Sequence, residues 1–239
     1  MALPKLNEVP MYEMTIPSTG KMVRYRPYLV KEEKVMMMAF ESGETRAALR
    51  SVIDTIEKCL EEGASINMND LTLFDIEYMF IKLRSKSVGE VSSLVSPCTN
   101  SECKHKNPID VDLDTLEVMV PKDSNVITLT DNVKVEFRYP SYKSMAETNI
   151  DKVEEDPEVA LEMISRCIVA VLHGDERISS KDESLEELKS FVESLTSSQF
   201  QKVSKFFSDM PRLEKEITYI CEKCSTQNTI MLKGIDSFF

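Results

Sequence analysis

The chain has 239 residues, 42% of them apolar, and 41 acidic against 29 basic side chains give a formal net charge of −12. That length allows one large domain or two small ones, and so acidic a surface repels phosphate backbones, which disfavours general nucleic-acid binding. Only two histidines, His105 and His173, and 6 glycines are present, which excludes most His-based triads, multi-His metal centres and glycine-rich phosphate loops.

In chain order, MYEMTIPSTGKMVRYRPYLV alternates apolar and polar residues around Ser18-Thr19-Gly20 and predicts a β-hairpin. Helical spacing begins at Lys31. Leu49, Val52, Ile53, Ile56 and Leu60 then share one face of a helix from about Glu44 to Glu61, with Gly63 as its stop. LTLFDIEYMFIKLRSKS is apolar on nearly every side and predicts a central core helix. Its Asp75 and Glu77 point to different faces, so they do not read as an acid/base pair; if buried they need partners such as Arg84 or backbone donors. From Val88 the period shifts towards two. VGEVSSLVSP, IDVDLDTLEVMVP, NVITLT and VKVEFRYP read as strands, the last two joined by an Asp131-Asn132 turn. After Tyr139-Pro140 the chain turns helical again. Asp156-Pro157 opens a helix whose apolar face, Val159 to Val171, predicts that it runs to His173 and Gly174. Two more helices follow, one at Ser184–Leu195 and one opened by the capping box Thr196-Ser197-Ser198-Gln199 and closed before Pro211. The end reads as strand, turn, strand and a short apolar tail. No internal repeat of 20–50 residues shows.

The N-terminus, MALPKLNEVP, lacks a basic stretch followed by an apolar core, and the longest apolar runs, Val35–Phe40 and Cys167–Leu172, are far shorter than the roughly 20 residues of a membrane helix. A reducing cytosol is therefore expected, where disulfides are not relied upon. Cys59 and Cys167 lie on or beside apolar stripes and read as packing residues. The other four cysteines fall in two close pairs, Cys98/Cys103 in SPCTNSECKHK and Cys221/Cys224 in YICEKCSTQ, each between two predicted strands. This is the layout of two zinc knuckles, which together complete one tetrahedral four-thiolate shell. Lys104, Lys106 and Lys223 stand beside the thiolates and offset their charge. The long separation of the two pairs is unlike a compact zinc ribbon; unmetallated thiols, or His105 in place of Cys103, are the alternatives. A closed four-thiolate shell leaves no open position for water, so the expected zinc, one per chain, is structural and the protein is not an enzyme.

These readings combine into an α+β fold, with helical layers packed on a mainly antiparallel sheet and the two Cys knuckles forming a composite zinc-ribbon-like site. Four segments are expected: 1–87 with the hairpin and first helices, 88–140 with strands and the first knuckle, 141–210 helical, and 211–239 with the second knuckle and the apolar tail. They would form one integrated domain or two closely packed ones.

VRYRPYLVKEEKVMMMAFESGE followed by LFDIEYMFIKLRSKSVGEV resembles the T4-like baseplate hub assembly family of contractile-tailed bacteriophages. The likeness spans Met1 to about Val91 and extends to the ending Gly234-Ile235-Asp236-Ser237-Phe238-Phe239. It implies a non-enzymatic part in building the central hub of the baseplate, as an assembly factor or tail chaperone, or as a component that stays in the particle. The partners implied are other phage hub and tail proteins, met in the host bacterial cytoplasm or in the virion tail, with no membrane involved. Ile235, Phe238 and Phe239 are the first candidate contact, because terminal phenylalanines must dock on the parent domain or on another protein. The basic run Lys82, Arg84 and Lys86 is the second. A zinc-ribbon nucleic-acid-binding regulator is the competing function, and it requires a basic, aromatic surface around the knuckles.

Overall fold

The computed structural model describes residues 9–118, 120, 125–148, 156–234 and 237, and for Thr45 the backbone alone. The chain divides into two units. One is formed by Met1–Met68, Phe74–Met119 and Arg212–Phe239, the other by Asn69–Leu73 and Val120–Pro211. Among the described residues no helix is long and apolar enough to cross a membrane.

In the first unit, β1 (Tyr12–Thr15) and β2 (Met22–Tyr25) pair antiparallel, Tyr12 opposite Tyr25 and Thr15 opposite Met22. The turn between them is the expected one, and Gly20 takes φ +66°, a conformation that costs a side chain bearing Cβ. Helices α1 (Val30–Glu41) and α2 (Thr45–Cys59) follow. α2 buries Val52, Ile53, Ile56 and Cys59, the face its periodicity marks. Helix α3 (Leu73–Ser87) buries Phe74, Asp75, Ile76, Met79, Phe80, Ile81, Leu83 and Ser85, which accounts for a sequence apolar on nearly every side.

Asp75 is fully buried in this helix. Its Oδ1 accepts the Ser18 backbone N–H at 2.9 Å and its Oδ2 accepts the Ser18 hydroxyl at 2.6 Å. The partner is thus the hairpin turn, 57 residues earlier. Hydrogen bonds to a carboxylate are among the stronger ones and offset its desolvation. They also fix the β1–β2 turn against the start of α3.

The rest of the unit is two β-hairpins of equal strand length. β3 (Val91–Pro97) pairs with β4 (Lys106–Asp112), and near the C-terminus two further strands, Glu214–Ile220 and Gln227–Lys233, pair with each other. Their inner faces share one core with Ile81 of α3 and with Leu113, Leu116 and Leu213 beside the strand ends: Ile109, Val111 and Leu232, with Leu94, Ile217, Tyr219 and Ile230 against them.

The second unit holds a four-stranded antiparallel sheet in the order β5 (Val126–Thr128), β6 (Val133–Phe137), β7 (Ile168–His173), β8 (Glu176–Ser179). The two C-terminal strands of the first unit are therefore β9 and β10. Helices α4 (Tyr142–Glu147), α5 (Pro157–Arg166), α6 (Leu185–Glu193) and α7 (Ser197–Ser208) complete it. Asp156 caps α5 ahead of Pro157, and Ser184 with Glu187 and Thr196 with Gln199 form capping boxes on α6 and α7, as the sequence predicts.

Two expected elements are different. The strand expected over IDVDLDTLEVMVP ends at Asp112, where the Asp112 side chain accepts the Asp114 N–H and Leu113–Thr115 form a 3-10 turn. The helix opened at Asp156 stops at Arg166, and Ile168–His173 is a strand between β6 and β8. In the run IVAVLH the β-branched Ile168, Val169 and Val171 favour a pleated strand, and both of its edges are filled by partners. Gly174 then turns the β7–β8 hairpin at φ +58° rather than ending a helix. Cys167 and Ile168 lie in a core with Leu129, Val135, Phe137, Ile164, Leu188, Val192 and Val203. Phe137 meets the rings of Phe206 and Phe207 at 5.8 and 5.6 Å between centroids.

The secondary structure is α+β as expected, but the described strands form three separate two-stranded sheets and one four-stranded sheet instead of a single sheet. Replacing Asp75 by Ala is expected to lower stability by about 2–3 kcal/mol, and Ser18→Ala by about 1 kcal/mol, measured as the shift of the urea midpoint.

Candidate metal centre

Both knuckles are hairpin turns. Cys98 follows β3 directly and donates its N–H to the His105 carbonyl at 2.7 Å; Cys221 follows β9 and donates to the Thr226 carbonyl at 2.9 Å. The residue after the second cysteine of each pair, Lys104 or Ser225, has positive φ, +47° and +58°, which tightens the turn enough to bring both sulfurs to one side. Backbone amides then point at the sulfurs: Asn100 at Cys98, His105 at Cys103, Lys223 and Cys224 at Cys221, and Thr226 at Cys224.

The two turns meet. Cys98 Sγ lies 3.6 Å from Cys224 Sγ, Cys103 Sγ lies 3.9 Å from Cys221 Sγ, and all four sulfurs are within 4.8 Å of one another. A disulfide would require about 2.05 Å, so the thiols are free. Tetrahedral thiolate ligation at about 2.3 Å per bond places the sulfurs about 3.8 Å apart. The four cysteines could therefore hold one metal ion with little rearrangement. Cys98 and Cys221 are buried, while Cys103 and Cys224 are half-buried. Burial pushes the Cys98 thiol up to about 11, whereas the hydroxyl and N–H of Thr226 pull Cys224 down to about 6. A metal needs these groups as thiolates, and the contacts with Thr226 favour that state at Cys224.

Two asparagines that sequence reasoning passed over hold the turns together. Asn228 Oδ1 accepts the Thr99 N–H at 2.8 Å and the Thr99 hydroxyl at 2.7 Å from the opposite knuckle, while its Nδ2 donates to the Thr226 carbonyl of its own. Asn107 does the same in reverse: its Oδ1 accepts the Glu222 N–H at 3.0 Å and its Nδ2 donates to the His105 carbonyl at 3.1 Å. Each asparagine is almost wholly buried, Asn107 at 2% and Asn228 at 1% exposure. Each also stands four residues after the second cysteine of its pair. The hairpins are thus two copies of one device related by an approximate two-fold axis. The signal in sequence is only Cys-x-x-x-Asn repeated once, with two or four residues between the cysteines, too short for a repeat search to register.

His105 turns its Nε2 towards Glu222, 3.9 Å away, rather than towards the sulfurs. Lys104, Lys106 and Lys223 are exposed around the turns. Lys82 Nζ donates to the Asp114 carbonyl at 2.6 Å; Lys86 contacts the Asp114 carboxylate and lies 2.6 Å from Glu90. Arg84 is half-buried near Tyr28 and Glu33. Burial pushes the Asp114 carboxyl up, but hydrogen bonds from Lys86 and Ser85 outweigh it and hold the group below the usual carboxylate range. Ile235, Phe238 and Phe239 lie outside the described residues. Cys59 and Cys167 are buried packing thiols as expected, pushed up by burial to about 11 and about 12.

The sequence model of one protein family, described as T4 bacteriophage base plate protein, matches residues 9–239. The chain belongs to that family. A base plate protein of this family has a structural or assembly role in the phage tail, among other baseplate proteins. No curated protein and no solved structure matches the chain. The family match covers both knuckles and everything between them, so the four-sulfur cluster belongs to the base plate protein itself. Asn107→Ala and Asn228→Ala are each expected to lower stability by about 1–2 kcal/mol in chelator-treated, reduced protein, read from urea unfolding, whereas Gln227→Ala, at an exposed position of the same strand, leaves the midpoint in place.

Proposed function

We propose that this base plate protein acts in building the central hub of the baseplate, in the host cytoplasm, as an assembly factor or as a hub component carried into the virion, and that its four cysteines hold one structural zinc. The base plate family match along residues 9–239 carries the tail role. The hub assignment rests on the resemblance of VRYRPYLVKEEK and FDIEYMFIKLRSKSVGE to hub assembly proteins.

The zinc reading rests on the donor set. Four thiols with separations suited to a tetrahedron, amides aimed at every sulfur and no imidazole among them fit a closed zinc shell rather than an open, catalytic one. Bound there, the ion supplies cross-linking between turns more than a hundred residues apart, so its binding free energy adds to folding. The role is structural, not catalytic. The apolar ending with Ile235, Phe238 and Phe239 is the proposed contact with another hub protein, and the end of α3 with Lys82, Arg84 and Lys86 a second one of smaller reach.

Elemental mass spectrometry of protein purified without chelator is expected to give one zinc per chain, lost in Cys98→Ser and in Cys221→Ser. Either replacement is expected to lower stability by several kcal/mol, seen as a large drop in melting temperature. Metal-free wild type would remove the zinc. The hub role is tested separately in phage carrying an early stop in this gene. Loss of the hub from purified tails is expected, and normal hubs in such particles would overturn the assignment.

A further inference from the structure

Helix α1 departs from the usual pattern of a packed helix. Of its 12 residues only Glu32 and Met36 are buried. Six of the thirteen large apolar side chains left exposed among the described residues fall between Leu29 and Phe40: Leu29, Val30, Val35, Met37, Met38 and Phe40. Val30 is 79% exposed and Met38 61%. So dense an apolar surface on a helix marks a face that meets another protein surface.

Two charges on the same face suggest the occupant. Lys34 and Glu41 are both exposed and lie seven residues apart, two turns of helix, so they share a face with Val30, Met37 and Met38. About 10.5 Å of rise separates them, too far for a mutual ion pair. Among the described residues neither has an ion-pair partner. Counting outward from the Met37-Met38 step, Lys34 and Glu41 are equidistant from its centre. An antiparallel copy of the helix, rotated by two-fold symmetry about that step, sets Lys34 opposite Glu41 of the second copy and the reverse, with the methionine pairs meeting on the axis. The face is self-complementary, as an isologous interface requires. Local charge agrees: residues 30–58 carry five bases and six acids in a chain whose net charge is −12, so two copies repel least there.

We infer that two copies of this chain dock α1 against α1, antiparallel, about the Met37-Met38 step. A contact built on one 12-residue helix from each copy covers less than the roughly 1,200–2,000 Å² of a stable complex. The dimer is therefore weak in dilute solution and forms where copies are held close together. This inference stands apart from both the hub assignment and the zinc.

Sedimentation equilibrium of the full chain from about 1 µM to about 1 mM is expected to show a reversible monomer–dimer equilibrium. Met37→Glu with Met38→Glu leaves a monomer with an unchanged melting temperature, because both side chains are exposed. Lys34→Glu and Glu41→Lys each weaken the dimer by about tenfold, since each change acts twice across the axis, and the two together restore it to within about threefold. A monomer throughout that range, or a dimer indifferent to the methionine changes, overturns the proposal. So does failure of the double charge exchange to recover. A monomeric wild type whose methionine variant blocks tail assembly in phage also overturns it, by assigning the face to a different baseplate protein.

Discussion

Hydrogen bonds running from each knuckle into the other hold together the two ends of the first unit. β3–β4 and β9–β10 stand on either side of an excursion of about a hundred residues, and a loop of that length is entropically costly to close. The closure is made by buried side chains of fixed geometry: Asn107 on the Glu222 amide, Asn228 on Thr99, and four sulfurs facing one another between them. Because each asparagine bonds its own turn and the opposite one, neither knuckle can shift without leaving a buried amide unpaired. Val120–Pro211 can then be carried as an insertion, with its own sheet, its own aromatic core and its own helix caps. A metal ion at the sulfurs would reinforce a closure the amides already make.

Helix α3 shows the same logic on a smaller scale. It is apolar enough to be buried on all sides, and the charges it carries are matched by residues far along the chain. Asp75 takes two bonds from the Ser18 turn, and Lys82 and Lys86 converge on Asp114 just after β4. The helix thus connects the N-terminal hairpin to the first knuckle hairpin through polar contacts at its two ends and Ile81 in the shared core. Lys82 and Lys86, a basic surface in sequence, are largely bound up inside the chain. Exposed apolar surface concentrates instead on α1.

Short-range rules were legible throughout. The Ser18-Gly20 turn, the α2 stripe, the Asp156-Pro157 start, the capping boxes of α6 and α7 and the strand–turn–strand form of both knuckles depend on residues within a few positions of each other, where sterics and local hydrogen bonding decide. The spacing of the cysteines identified the candidate ligands. At Ile168–His173 an apolar face at helical spacing and a β-branched run coincide, and the place between β6 and β8 that decides for the strand is a property of the sheet.

By itself, then, the sequence determined most of the local elements, the four thiols as a set and, through the FDIEYMFIKLRSKSVGE segment, the phage baseplate kinship. Tertiary structure alone decided that the two pairs meet, that Asn107 and Asn228 clasp them, that Ser18 answers Asp75, and that α1 presents an exposed apolar face. Each of these joins residues far apart along the chain, and one side chain's sequence neighbours carry no record of which distant partner will satisfy it once both are withdrawn from water.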